Sequence, residues 1–538
     1  MNSTSVTVEN KTLHFQPGLY RFTASYNYPQ LIQLDQHQVL DNASQDLIVR
    51  DSMDIEALSF LSYSNKLVAG AWRFLTYFGR DTMISALLMQ PILSKGNGSA
   101  IEAVIGSVLE RLNRTDGSAC HEETIGDYAT YLNLQNNVTS TSPQCDYKMI
   151  DTDYYLPILL DRYFIQSKVG RERIDVFFSN EAEPFGAVEC TLTYGNLSLI
   201  SAKRIMSLAR PFATNPTKKN LIHLKADQIV GEWRDSTYGI GGGRIPYDVN
   251  TALMPAALRS IASLARSEDI RIFPEASNWS TLADKYAKVW EDSTLSFFEV
   301  NVSKAEAIDR VESFVDTSTF YNGPSNSEYF DGPLTYYSLA LDGYGNLSKV
   351  EVLNTDDCFR HFLLNTTDQV QLTSSINQTA NNILRPFPAG LTTPLGVVVA
   401  NPALAREGFD VLVTNFTNSA YHGTVIWSWQ LAMMARGLEF QLGRCNGSEV
   451  PDFCKDNTVW LNVRDAYNRL WDVIEDNRSE LSTEVWSWTW EGGKDGNYSF
   501  AALGTLPPPP GVGASTESDV RQLWSLAFLA LQRNSAFA

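Results

Sequence analysis

The sequence predicts a mainly α-helical protein, a helical toroid preceded by a small β region, and three observations carry that expectation. Apolar residues recur at helical spacing along most of the chain. The first 62 residues instead alternate apolar and polar positions. Third, the chain is 538 residues long, 44% hydrophobic and 19% charged, the balance of a folded protein. That length exceeds the roughly 250–300 residues at which one ordinary core stops growing.

The β expectation rests on Val6-Thr7-Val8 and Leu19-Tyr20-Arg21-Phe22, where alternation puts every second side chain on one face of a strand. It defines an N-terminal β-rich region over residues 1–65. From residue 66 the period changes. Ile101, Val104, Ile105, Val108, Leu109 and Leu112 fall on one face of a helix. Similar stripes run through Leu253, Ala257, Leu258, Ile261 and Leu264, and through Val520, Leu523, Trp524, Ala527 and Leu531. Helices separated by long irregular connections suggest a helical toroid over 66–538 whose loops carry the site. Two interruptions are expected: a strand-like β-hairpin insert at 174–204, and a stiff connector at Leu506-Pro507-Pro508-Pro509-Pro510 before the last helix.

A formal charge of -19 and a pI near 4.8 argue against nucleic acid and anionic membranes as partners, since the average surface repels both. No apolar run approaches the ~20 residues of a membrane span. There are 16 Asn-x-Ser/Thr acceptors, among them Asn2, Asn42, Asn97, Asn196, Asn301, Asn365 and Asn446, against about 6 expected by chance. The excess points to secretion. The opening Met1-Asn2-Ser3-Thr4 is polar and lacks a signal core, so a signal peptide is expected to lie outside this chain. Six cysteines without metal-site spacing favour disulfides over zinc, with Cys120–Cys145 and Cys445–Cys454 as the expected local pairs. No metal or cofactor is expected, and a monomer is.

Five segments place acids or other polar groups among aromatics and glycine at helix entrances. They are Tyr77-Phe78-Gly79-Arg80-Asp81-Thr82, Met149-Ile150-Asp151-Thr152-Asp153-Tyr154-Tyr155, Gly231-Glu232-Trp233-Arg234-Asp235-Ser236, Tyr421-His422-Gly423-Thr424-Val425-Ile426-Trp427-Ser428-Trp429, and Ser482-Thr483-Glu484-Val485-Trp486. Asp81, Thr82, Asp151 and Asp153 could each simply cap a helix. The tryptophans could fill a core as readily as stack on sugar rings. Asp235 sits between a tryptophan and a glycine-rich loop, a setting that desolvates a carboxyl and raises its pKa toward the range of a general acid. Cleaving a glycosidic bond needs two carboxyl groups, one protonated and one ionised.

Taken together, the segments resemble the amylo-α-1,6-glucosidase domain of glycogen debranching enzymes, and more loosely trehalase and processing α-glucosidase I, within the six-hairpin (α/α)6 glycosidases. Gly79-Arg80-Asp81-Thr82 matches the family's helix start, and Trp233-Arg234-Asp235 its acid loop, with Arg234 in place of methionine. Tyr421-His422-Gly423-Thr424-Val425 is one residue shorter than the family segment, and Thr483-Glu484 carries Thr for Ser. The resemblance covers roughly residues 66–535; residues 1–65 have no counterpart.

It implies an inverting hydrolase of α-linked gluco-oligosaccharides or polysaccharide, including α-1,6 bonds, with Asp235 as general acid and Glu484 as general base. Arg80, Asp81 and Asp151 would bind sugar hydroxyls, and His422, Trp427 and Trp486 would line the same pocket. Glu122 would meet the leaving sugar. Tyr77, Asp153, Trp233, Arg234, Asn250 and Trp429 complete the implied carbohydrate-binding set. Alternatives are an (α/α)6 hydrolase of another α-glycoside, α-mannoside or trehalose-like, and a catalytically silent carbohydrate-binding protein. A phosphorylase would put a basic phosphate pocket where Glu484 stands.

Overall fold

The computed structural model describes residues 6–18, 20, 32–71, 74–183, 191–342, 347–509 and 521–537. The chain divides into two compact units, Met1–Ile32 and Gln33–Ala538. In the first, Val6–Glu9 pairs antiparallel with Thr12–Phe15, Val6 opposite Phe15. Asn10 and Lys11 make the turn, both at positive φ, 49° and 65°, which matches a two-residue turn to the twist of its strands. Of the second expected strand, Leu19, Arg21 and Phe22 lie outside the described residues.

The β reading holds at Ser62–Tyr63, which pairs antiparallel with Lys66–Leu67, but fails between residues 36 and 60, where Gln36–Val39, Leu47–Arg50 and Ser52–Phe60 are helical. The reason is local. Asp35 caps the first helix and Gln38 returns the bond to the Asp35 backbone, a reciprocal cap that outweighs alternation. Ile55 and Leu58, three apart, bury the same face of the third helix. The hairpin expected at 174–204 is likewise helical, as Lys168–Ser179 and Tyr194–Thr214, with 184–190 outside the described residues. Strand-favouring residues misled here: Ile174, Phe177 and Phe178 are buried together at helical spacing, and tertiary packing overrode propensity.

The second unit has eighteen α-helices and only small sheets of two or three strands among its described residues. The stripes at 101–112 and 253–264 are the buried faces of Ala100–Glu110 and Met254–Arg266. The last expected helix is a tighter 3-10 run, Trp524–Ala530; Leu523, Trp524, Ala527 and Leu531 are still buried, and Val520 lies outside the described residues. No described helix is long and apolar enough to cross a membrane.

Gly79–Met89 is buried along its whole length. It packs on Thr152–Phe164, which packs on Met254–Arg266. The π-helical turn Val249–Leu253 packs on Asp357–Leu363, that helix on Ser428–Gly443, and Ser428–Gly443 on Trp524–Ala530, which packs back on Gly79–Met89. Tyr194–Thr214, Ala276–Ser293 and Asn457–Asp476 pack behind these. Arg80 and Asp81 at one helix start, with Trp427 just ahead of another, line one cavity of about 380 Å3. Leu87, Leu88, Arg162, Phe362 and Phe440, toward the opposite helix ends, line a second of about 630 Å3.

Beside the first cavity, Glu122–Thr124 pairs with Gln144–Asp146 and the Cys120–Cys145 disulfide closes the hairpin. Cys445–Cys454 is the second disulfide, and Cys358 is a buried free thiol. Glu123 anchors the hairpin, accepting from Lys66, from Arg111 Nε at 2.6 Å and from the Tyr77 amide at 3.2 Å. Burial pushes its carboxyl up, but Arg111 and Lys66 outweigh burial and hold it below the ordinary glutamate value. Its contribution is therefore present above the unfolded value of about 4.3 and is lost as pH falls through the lowered folded value. Glu123→Gln takes a carboxylate away from two buried cations, Lys66 and Arg111, and should cost about 3–5 kcal/mol in denaturant unfolding near neutral pH; an unchanged midpoint would contradict the anchor.

Candidate active site

The cavity is built around Arg80, on the first turn of Gly79–Met89. A side chain at Gly79 would put its Cβ 2.3 Å from the Cys120 carbonyl, so glycine is what lets this helix start against the hairpin. Arg80 is 1% exposed. Its Nε and Nη2 fork onto Asp151 at 2.6 and 3.3 Å, and Nη1 reaches Asp235 at 2.9 Å.

The Asp235 side chain is 28% exposed. Nε2 of His121 and Nε2 of His422 each stand 3.9 Å from one of its oxygens. Burial drives both histidine pKa values well down, helped by Arg80 at His121 and by Arg234 and Arg80 at His422, so both rings are neutral. The Ser236 amide donates to His422 Nδ1 at 3.3 Å, and the Ser236 hydroxyl stands 2.8 Å from the same nitrogen. Burial raises the Asp235 pKa, with the Arg80 cation opposing it.

Glu484 immediately precedes Val485–Glu491, which pairs with Ile426–Trp427. This pairing brings the acid beside the Tyr421–Trp427 segment. Its Oε2 accepts from the Tyr421 hydroxyl at 2.7 Å and its Oε1 from Trp524 Nε1 at 3.0 Å. Burial pushes its pKa well above the glutamate range, while the Tyr421 bond pulls it down. No cation pairs with it among the described residues. Asp81, also on the lining, is pushed up to about 7 by burial against the pull of Arg80.

Aromatic rings form the walls. Trp427 stands edge to face with Trp233 at 5.6 Å and with Trp524 at 5.7 Å. His422 stacks on Trp427 at 5.1 Å. Phe74, Phe78 and Glu122 also line the cavity, with Lys148, Met149, Val230 and Gln522.

Of the expected site residues, Asp235, Glu484, Arg80, Asp81, Glu122, Trp233 and Trp427 meet at this cavity. His422 sits just behind, 2% exposed, touching Asp235. The others support the wall without lining it. Asp151 is fully buried under Arg80. Asp153 accepts from the Ala119 amide at 2.7 Å and Arg204 at 2.6 Å. Asn250 braces both polar backbone groups of Ile222.

Arg234 lies over Trp233, 4.2 Å from its ring, forks onto Asp356 and reaches the Val399 carbonyl; it stands behind the tryptophan. Trp486 donates to the Leu395 carbonyl at 2.9 Å, Trp429 stacks on the far side of Trp524, and Tyr77 is fully buried under Arg111. Tyr421 and Ser236 lie within the motif segments and His121 adjoins Glu122, but no local pattern gives any of the three a role. Trp524 read only as one residue of a helical stripe, and nothing local distinguishes it.

No protein-family model matches this chain, and no curated protein does.

Replacing Arg80 by Gln removes the one cation that, among the described residues, is in hydrogen-bond contact with Asp235. The Asp235 carboxyl should then titrate higher, readable by isotope-edited infrared spectroscopy; an unmoved titration would show that burial alone sets its acidity.

Proposed function

We propose that this protein is a secreted inverting glycoside hydrolase acting on neutral α-linked gluco-oligosaccharides or polysaccharide, with α-1,6 bonds among the candidates. The observation that carries the reading is the convergence of two carboxyls, Asp235 and Glu484, on one aromatic-walled cavity, each held by its own set of donors. The likeness to the amylo-α-1,6-glucosidase domain supports it, since residues of four quoted segments line this cavity. The packed neighbours that lead from Gly79–Met89 back to it support an (α/α)6 toroid. Sixteen glycosylation acceptors and two disulfides support secretion.

In this reading Asp235 is the acid. Its partly exposed carboxyl can hand a proton to the glycosidic oxygen, and its raised pKa keeps part of the population protonated. Glu484 is the base, taking a proton from the water that attacks the anomeric carbon. Tyr421 and Trp524 donate to its two oxygens, which orients the carboxylate and favours its ionised form. Neutral His121 and His422 stand near Asp235 without adding charge. Activity rises with pH as Glu484 ionises and falls as Asp235 loses its proton. Both groups are raised, so the bell sits higher than for an ordinary carboxylate pair. One observation favours exchanging the roles: the Arg80 cation sits on Asp235, whereas Glu484 has only neutral donors.

Leaving-group chemistry separates the assignments. Asp235→Asn should lose about 10²–10⁴-fold on an α-linked disaccharide yet keep most activity on α-glucosyl fluoride, whose departure needs no proton. Glu484→Gln should lose both. The opposite pattern exchanges the roles, and wild type without turnover on α-glucosides overturns the hydrolase reading. Product followed by NMR should appear first as the β-anomer; α-anomer would exclude inversion. Trp524→Phe removes a donor to ionised Glu484, so the acidic limb of the pH profile should move to higher pH, and kcat should fall by about tenfold or more.

A further inference from the structure

The hairpin that supplies His121 and Glu122 to the cavity carries a helix on its outer side, Gly126–Gln135, that the proposed chemistry does not use. The helix is fixed in place. Ala129 and Asn133 face inward, Asn133 Nδ2 holds the carbonyls of Ser140 and Ser142 at 3.0 and 3.2 Å, and Cys120–Cys145 closes the loop at its base. Its outer face is apolar and bare. Tyr128 is 63% exposed, Tyr131 54% and Leu134 57%. The two tyrosine rings lie nearly parallel, 17° apart with centroids at 6.4 Å, and Gln135 hydrogen-bonds the Tyr131 hydroxyl.

We propose that this face is a binding platform for a neutral carbohydrate chain whose end occupies the cavity, so that the preferred substrate is a polysaccharide rather than a disaccharide. The inference rests on the reading that the cavity takes a sugar. Three features select this occupant. The platform follows the cavity wall closely in sequence: Glu122 lines the cavity, and Tyr128, six residues on, can be no farther from it than about 20 Å of extended chain. The cavity itself, about 380 Å3, sits near the small end of ligand pockets, roughly 300–1,000 Å3, so a longer chain must extend past it. Finally, Asp127 is the only charged residue between Glu123 and Asp146, in a chain that is 19% charged. Tyrosines set among Asn, Gln, Thr and Ser offer ring faces, hydroxyls and amides, which suits a neutral polyhydroxylated ligand. The lack of lysine and arginine disfavours an anionic membrane.

The test uses the full chain, enzymatically deglycosylated because Asn137 opens an acceptor at the end of the helix, in native gels containing glycogen. Wild type and Glu484→Gln should both be retarded. Tyr128→Ala/Tyr131→Ala should bind roughly tenfold more weakly and lose a similar factor in kcat/KM on glycogen, with an aryl α-glucoside turned over as by wild type. Both positions are exposed on a helix where alanine is well tolerated, so the variant should keep its unfolding midpoint. Retardation equal in wild type and the double variant overturns the platform, as does wild type that runs unretarded. A wild-type dimer that the double variant converts to monomer in sedimentation also overturns it, because the face is then an interface between copies. Retardation that needs both tyrosines, in a protein without turnover on any α-glucoside, upholds the platform and sinks the hydrolase reading instead.

Discussion

One buried guanidinium joins the parts of the site. Arg80 is nearly inaccessible, and a charge at that depth persists only where carboxylates and hydrogen bonds replace its water. Asp151, at the entrance of Thr152–Phe164, supplies the fork, and Asp235, from a loop far along the chain, supplies the third contact. Three segments remote in sequence therefore meet on one side chain. The contact that secures them also sets the acidity of Asp235, since the cation works against the burial that raises it. Stability and proton affinity are coupled at that point.

A second charged layer lies beneath. Arg234 forks onto Asp356 and covers the face of Trp233, so the tryptophan presented to the cavity is held from behind. Acids outnumber bases there. Burial, then the neighbouring carboxyls, push the Glu232 and Asp248 pKa values far up. Helix direction helps the upper layer: Asp81 and Asp151 stand at helix starts, where the partial positive charge of the backbone favours carboxylates. An acidic cavity can thus persist in a chain whose formal charge is -19.

How much of this could be read from the residues alone depended on where the information lay. The stripes of Ala100–Glu110 and Met254–Arg266 were legible because burial on one helical face leaves a period. The helices over 36–60 were missed because they are short and set by a cap and two apolar residues rather than by a long stripe. At the site, glycine, aromatics and acids clustered in short segments marked the right neighbourhoods. They could not rank the acids. Asp151 stands at a helix entrance and Asp235 between a tryptophan and a glycine-rich loop, but only the fold makes one a buried strut and the other a group open to the cavity. Trp524 was invisible for the opposite reason: its bond to Glu484 joins a helical-stripe residue to a strand entrance, a contact that no local pattern encodes.

The disulfide-tied hairpin beside the cavity has two edges under different demands. The inner edge holds His121, Glu122 and the Glu123 anchor, where any substitution disturbs packed charges. On the outer helix Tyr128, Tyr131 and Leu134 are more than half exposed, so those positions are free to drift. Such a division makes the hairpin an exchangeable cassette: its exposed helix could be rewritten by evolution or by design, with the buried charges on the inside left intact.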